Sequence, residues 1–270
     1  MTGGGEQVPG LIRAFDDGVL RLTIDRSEKR NALTDEIVAG LIDAISYAGV
    51  DESVRAIMLS GSGEHFCSGF DIVARNEPGA ARPRVGSIQR RLPGQANRLI
   101  ALMVRTQVPI VCVVRGWAAG IGLNMALASD FTIAADDARF WAPFIGRGFT
   151  PDSGATWMLP RRVGEVRARE MLLLGRVVTG SEAAEWSMIH ASSPDDQLDE
   201  SAADLIRRLA TSPTVALGLT KSLLQTSSTS TLEAQLHDEA FSLELSSRSE
   251  DFKEGLAAFR DRRDPDYRGR

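Results

Sequence analysis

Cysteine is almost absent: Cys67 and Cys112 are the only two in 270 residues. Neither belongs to a Cys-x-x-Cys pair and both have apolar neighbours, so a disulfide framework and a cysteine-based zinc site are excluded. The three histidines, His65, His190 and His237, lie too far apart in sequence to suggest a metal centre. No apolar stretch approaches the roughly 18–20 residues a membrane helix needs. The opening MTGGGEQVPG has no basic, apolar signal core. A cytoplasmic protein with no metal and no membrane partner is expected. Basic charge is not in excess either. The 36 acidic against 31 basic residues give a net charge of −5, which disfavours nucleic acid or an anionic membrane as partner.

Several catalytic signatures are missing as well. There is no Gly-x-x-x-x-Gly-Lys phosphate loop and no Gly-x-Ser-x-Gly nucleophile elbow. Gly120-Ile121-Gly122 lacks the third glycine of a dinucleotide fingerprint, so no nicotinamide cofactor is implied. Nucleophilic, metal and redox chemistry lose ground to acid/base chemistry beside backbone N–H donors.

What is present is an ordinary globular pattern, long enough for a full core in one large domain or one domain with an appendage. Residues 11–15 and 19–24 are β-rich runs split by Asp16-Asp17-Gly18, which predicts a hairpin. Thr34 predicts a helix cap, with Ile37, Leu41 and Ile45 on one face. Strands are expected at 55–60, at IVCVV after Pro109 and at FTIAA, with an apolar helix between the last two. Strands alternating with helices imply parallel pairing. The Arg-, Pro- and Gly-rich stretch 75–98 predicts a mobile excursion. Beyond residue 195 only helical stripes remain. The division expected is a β/α core over 1–195 and a helical region over 196–270.

Two glycine-rich segments have the character of an anion-stabilising pair. Phe66-Cys67-Ser68-Gly69-Phe70-Asp71 leaves a strand through a sharp turn, and Gly116-Trp117-Ala118-Ala119-Gly120-Ile121-Gly122 feeds a helix. Amides at a helix start lack intrahelical partners and sit at the positive end of the dipole. Two converging N–H groups would form an oxyanion hole. The alternative is that these glycines serve only tight turns and close packing.

These segments, together with Arg30-Asn31-Ala32-Leu33 and PDSGATWMLPRRVG, occur in the order and spacing of the crotonase superfamily, which the chain resembles from about residue 10 to 260. The resemblance implies an α/β spiral of ββα units with a helical C-terminal trimerisation region, and a homotrimer or hexamer. It implies an acyl-CoA thioester as substrate, with CoA entering only as part of it and no other cofactor. By position, the amides of Ser68 and Ile121 would hold the thioester carbonyl. Arg30, Ala32, Phe70, Asp71, Ile72, Ala119 and Gly120 would line the path of CoA and substrate, with Asn124 and Phe144 beside the reacting carbons. Arg75, Arg82, Arg84, Arg90 and Arg91 would either meet CoA phosphates or belong to a solvated loop. Phe252, Lys253 and Phe259 would lie on a helix that closes a pocket or packs plainly.

The family's hydratases carry two glutamates where this chain has Asn124 and Phe144, and neither of these transfers a proton at neutral pH. Asp152, in Thr150-Pro151-Asp152-Ser153-Gly154, stands where related isomerases place an aspartate. The surrounding segment looks most like the isomerases of phenylacetate breakdown and their enoyl-CoA isomerase relatives. One carboxylate suffices for a 1,3-proton shift. Trp141, Phe144, Phe149 and Trp157 would desolvate it and raise its pKa. The alternatives are a plain turn in which Asp152 caps the next helix, a hydratase with unusual water activation, and a non-catalytic acyl-CoA-binding subunit. Asp71, Asp130 and Asp136 are expected as caps or ion-pair partners. Glu64 and His65 are expected on the solvent side of their loop.

Overall fold

The computed structural model describes residues 8–71 and 84–270. Strands β1 (Leu11–Asp16) and β2 (Val19–Ile24) form the expected hairpin. Its two central residues, Asp17 (φ 48°) and Gly18 (φ 76°), are both left-handed, the geometry that matches strand twist in a two-residue turn. Helix α1 (Asp35–Ala48) starts where Thr34 Oγ1 accepts the Ile37 N–H at 3.3 Å. Asp35 and Glu36 sit at its positive end, and Ile37, Leu41 and Ile45 are fully buried.

The main sheet continues with β3 (Ala56–Gly61), β4 (Ile110–Val114), β6 (Phe131–Ala135) and β9 (Ala191–Ser193) in the order β1-β2-β3-β4-β6-β9. Every pairing after the hairpin is parallel. All five residues of β4 are buried, as expected of a strand covered on both faces. A smaller sheet joins β5 (Trp117–Ala119), β7 (Arg139–Trp141) and β8 (Val177–Thr179). Helix α4 (Ile121–Ala128) is buried at every position, which explains why its sequence is apolar but for Asn124.

The expected excursion over 75–98 is corrected in part. Ile72, Arg75 and Arg82 lie outside the described residues. From Ser87 the chain is helical, in α2 (Ser87–Arg91) and then α3 (Ala96–Arg105). Gly86, at φ 87°, precedes α2, and Pro93-Gly94 separates the two helices; these residues punctuate helices rather than unravel the chain. Arg84, Arg90 and Arg91 are exposed.

Helix α5 (Ala155–Leu173) bends at Gly164 (φ 74°), and α6 (Gly180–Glu185) opens on a capping box of Thr179 and Glu182. Four helices follow: α7 (Asp195–Ala210), α8 (Thr214–Ser227), α9 (Leu232–Ser246) and α10 (Glu250–Asp261). Helix α7 packs against β3, β4, β6 and β9, whereas α9 packs on α8 and buries no residue of its own. No helix of the described residues is long and apolar enough to cross a membrane.

Candidate active site

The first glycine segment is stitched between two neighbours. On one side it bridges Leu33 through Phe70, and on the other it bridges Ala118 through Cys67. Peptide groups of an extended chain point alternately to its two edges. Cys67 N–H accordingly donates to the Trp117 carbonyl, and Ser68 N–H points the other way, to the Arg30 carbonyl at 3.0 Å. The expectation for Ser68 is thereby corrected: its amide holds Arg30 and does not face a ligand. Leu33 occupies the Gly69 carbonyl and the Asp71 N–H, so the Phe70 N–H is turned away from Leu33, towards the edge where Ala119 and Gly120 lie.

Asn31 fastens this arrangement from beneath. It is fully buried and left-handed (φ 55°); its Oδ1 accepts Arg26 N–H, and its Nδ2 donates to the carbonyls of Ser62 and His65. A Cβ at Gly61 would collide with the His65 and Phe66 carbonyls, so the turn needs glycine there.

The second segment ends at Gly120 (φ 57°), whose N–H donates to the Trp141 carbonyl at 3.0 Å. No side chain caps the helix that follows, so the first amides of α4, beginning with Ile121, keep the donor character of a helix start. The two segments are in van der Waals contact. A Cβ on Gly122 would stand 2.5 Å from the Cys67 carbonyl oxygen, and one on Gly69 would stand 3.3 Å from the Ala119 carbonyl oxygen. Glycine at 122 therefore sets how closely the amide-bearing strands approach.

One turn into α4 stands Asn124, fully buried, with its Nδ2 donating to the Asp152 carbonyl at 3.0 Å. Its Oδ1 has no hydrogen-bond partner, and neither does the buried Oγ of Ser153, the residue after Asp152. Ser153 (φ 50°) and Gly154 (φ 86°) are consecutive left-handed residues, and the cap of α5 is Gly154 rather than Asp152, with no side-chain cap bond. The turn thus presents Asp152 to a cavity of about 440 Å³ between α3 and the start of α5, and Asp152 is the only carboxylate among the described residues of its wall.

The aromatic residues divide. Trp157 shares the cavity with Asp152. Phe144 is buried edge-to-face on Phe149 at 5.7 Å, whereas Trp141 turns to Trp117 and donates to the Gly175 carbonyl.

Arg26, which the sequence did not single out, organises the expected CoA path. Its guanidinium donates to the Ala32 carbonyl at 2.6 Å and pairs with Asp71 at 3.2 Å, so Asp71 is an ion-pair partner as its alternative reading had it. Arg30 is exposed, and Ala32 and Ala119 are buried. Asp130 pairs with Lys221 at 2.7 Å, and Glu64 is exposed. Phe252, Lys253 and Phe259 are exposed on α10. Burial pushes the Cys67 thiol up to about 12, which leaves it protonated and inert beside the candidate oxyanion segment. No group of three metal-ligating side chains occurs among the described residues.

Comparison with known proteins bears on this arrangement. The family described as enoyl-CoA hydratase/isomerase matches residues 14–270. The 1,2-epoxyphenylacetyl-CoA isomerase of Escherichia coli K12 is 38% identical over 261 residues, 96% of this chain and 98% of that protein. The 2,3-dehydroadipyl-CoA hydratase of the same organism is 32% identical over 260 residues, 96% of this chain and 99% of its own. A crystal structure of an enoyl-CoA hydratase from Bacillus anthracis superposes with a TM-score of 0.90 at 25% identity, covering 97% of this chain and 100% of that one. The α/β crotonase fold expected from the sequence is the fold of these relatives.

Proposed function

We propose that this chain, which belongs to the enoyl-CoA hydratase/isomerase family, is an enoyl-CoA isomerase that moves a double bond by a 1,3-proton shift. Asp152 takes the proton from C2 of a 3-enoyl thioester. The electron pair spreads through the C3–C4 double bond and onto the thioester oxygen. The same carboxyl then returns the proton to C4, leaving the 2-enoyl thioester; nothing is gained or lost. The Ile121 N–H at the positive end of α4, with the Phe70 N–H turned towards that edge, stabilises the oxygen as its charge develops.

The observation that carries this reading is the solitary carboxylate. Among the described residues of the cavity wall Asp152 has no carboxylate companion, and the neighbouring Asn124 spends its amide hydrogen on the Asp152 backbone. Hydration needs separate proton partners for water and carbon, and an isomerase does not. The 38% identity to an isomerase supports the same choice.

Hydration is a second reading, favoured by a specific pair of atoms. Asn124 Oδ1 and Ser153 Oγ flank Asp152, are buried and have no partner, which is the setting that holds an ordered water. Mass spectrometry and NMR of products from 3-enoyl-CoA and 2-enoyl-CoA decide between them. A mass-neutral shift lost in Asp152→Asn is the expected result, and gain of one water would overturn it. Thioester binding without product would leave a non-catalytic subunit.

The last helices support the expected assembly. Helix α9 buries nothing while Leu232, Leu236, Phe241, Leu243 and Leu245 are more than half exposed, a surface that a homotrimer or hexamer would cover. Light scattering of the purified protein tests it; a monomer at micromolar concentration would refute it.

A further inference from the structure

Helix α3 is a wall of the Asp152 cavity, and its last turn is held by α8. Ile100, Ala101 and Val104 line the cavity. The turn that carries Asp152 packs on this helix: a Cβ on Gly154 would stand 3.7 Å from the Ile100 Cγ2. Thr106 leaves α3 at φ −59° and ψ 138°, with no glycine turn, and its N–H reaches the Leu102 carbonyl at 2.8 Å. The next carbonyls, of Met103 and Val104, belong to the last turn, which a helix does not satisfy from within.

Helix α8 supplies donors to both. Lys221 Nζ donates to the Met103 carbonyl at 3.2 Å, and Gln225 Nε2 donates to the Val104 carbonyl. The two donors stand four residues apart on one face of α8. Gly218 is on the same face and lets the chains close, since a Cβ there would stand 2.8 Å from the Gln107 Cβ. A positive charge at the carbonyl end of α3 also matches the helix dipole. Lys221 divides its hydrogen bonds between α3 and Asp130, whereas the Gln225 amide serves Val104. Val104 thus belongs both to the cavity wall and to the contact with α8.

We infer that Gln225 is a positioning residue for the acyl group: through Val104 it sets how far the last turn of α3 stands from the Asp152 turn, and with that the size of acyl chain the cavity takes. The inference rests on the reading of Asp152 as the acid/base group, which brings the acyl carbons to this cavity. Gln225 is outside the cavity wall and acts through α3. Without its donor the Val104 carbonyl must find water, so the last turn of α3 moves outward and the cavity widens there. One methylene of fit in an apolar site is worth about tenfold or more in kcat/KM, so a small displacement is readable as a change in chain-length preference.

The test compares 3-hexenoyl-CoA with 3-decenoyl-CoA, each assayed for kcat and KM with wild type, Gln225→Met, Gln225→Lys and Gln235→Met. Methionine keeps the size of the side chain and loses the donor, and lysine returns a donor to the carbonyl end of the helix. Gln235 on α9 donates to the Leu223 carbonyl of α8 at 3.0 Å, so its loss removes the same kind of bond away from α3. In Gln225→Met the ratio of kcat/KM values is expected to move towards the longer chain by about tenfold, mainly through KM. It should return to wild type in Gln225→Lys and stay there in Gln235→Met. A purely structural Gln225 would lower the melting temperature of Gln225→Met and leave the ratio where it was. That result overturns the inference, as does an equal shift in Gln235→Met. Calorimetric binding of hexanoyl-CoA and decanoyl-CoA to the same proteins separates the inference from the reaction itself. If neither enoyl substrate turns over but the binding ratio follows Gln225, the isomerase reading falls and the positioning stands. If turnover occurs and both ratios are unchanged in Gln225→Met, the positioning falls alone.

Discussion

The side-chain amide of Asn124 donates to the backbone carbonyl of Asp152 at 3.0 Å, and Asn124 is wholly buried. This bond ties the start of α4, where the candidate oxyanion amides are, to the turn that carries the candidate base. Without the donor, the Asp152 turn has one less constraint on its position relative to the thioester. Asn124→Ala is expected to lower kcat by about ten- to a hundredfold with a smaller change in KM, since misplacing a reacting group by about 1 Å costs rate on that scale. Asp152→Asn should cost about 10²–10⁴, the usual range for a general acid/base group. Steady-state kinetics on 3-enoyl-CoA check both. An Asn124→Ala enzyme with wild-type kcat would show that the tie is structural only.

Gly122 controls the gap between the two amide-bearing segments. Its Cβ position is 2.5 Å from the Cys67 carbonyl oxygen and 2.9 Å from the Cys67 Cβ, and both are buried backbone-side atoms that cannot swing aside. Gly122→Ala must push the segments apart. The predicted loss in kcat is about 10²–10³, the cost of one misplaced oxyanion donor. Gly146→Ala, where nothing lies within 4 Å of the new methyl, should be nearly neutral in kcat and in thermal melting. Comparable losses in both variants would rule out the spacing argument.

The order of strands and helices was legible because it is written in local patterns: the Asp17-Gly18 turn, the Thr34 cap, the fully apolar β4 and the apolar α4 broken only by Asn124. The choice of oxyanion amide was not. Ser68 and Phe70 are two residues apart, and which of them faces the α4 start depends on Arg30 and Leu33, more than thirty residues upstream, pairing with the segment. No local signal reports that register. The Pro-Asp-Ser-Gly turn was read for its carboxylate, but two successive left-handed residues move the helix cap to Gly154. Arg26 likewise gives no sign in sequence that it spans Ala32 and Asp71.

Asp130 and Lys221 join the helical tail to the core. The Lys221 ammonium, 7% exposed, also donates to the Met103 and Val108 carbonyls, and Asp130 accepts the Ile110 N–H at 2.8 Å. Burial pushes the Asp130 carboxyl up and the Lys221 ammonium down, and each partner opposes the other's shift. Removing one partner leaves a buried charge unpaired, at a cost of about 3–5 kcal/mol. Lys221→Met should therefore be strongly destabilising in urea unfolding. Lys221→Met with Asp130→Asn should recover part of the loss, because the neutral amide still accepts from Ile110. Additive losses in the double mutant would mean that the two charges are not coupled.

Glu254 gives the pH dependence of the C-terminal strap. Its carboxylate receives Arg263 in a two-pronged pair, at 2.6 and 2.9 Å, and accepts the Asp266 N–H at 2.8 Å. The Arg263 hydrogen bond, with the Asp266 amide next, pulls the Glu254 carboxyl from the ordinary 4.5 down to about 2. A carboxyl whose folded value is depressed binds its proton more readily when unfolded, so its stabilisation is complete above about 4.5 and is lost as the pH falls towards about 2. The group is solvent-exposed and the pair is screened by salt, so the effect on global stability is small. Glu254→Gln is expected to increase amide exchange in residues 263–268 at neutral pH and to match wild type near pH 2, with the difference shrinking in high salt. Hydrogen exchange of that segment measures it directly. A difference that persists unchanged at the acid end would show that Glu254 acts through packing and not through its charge.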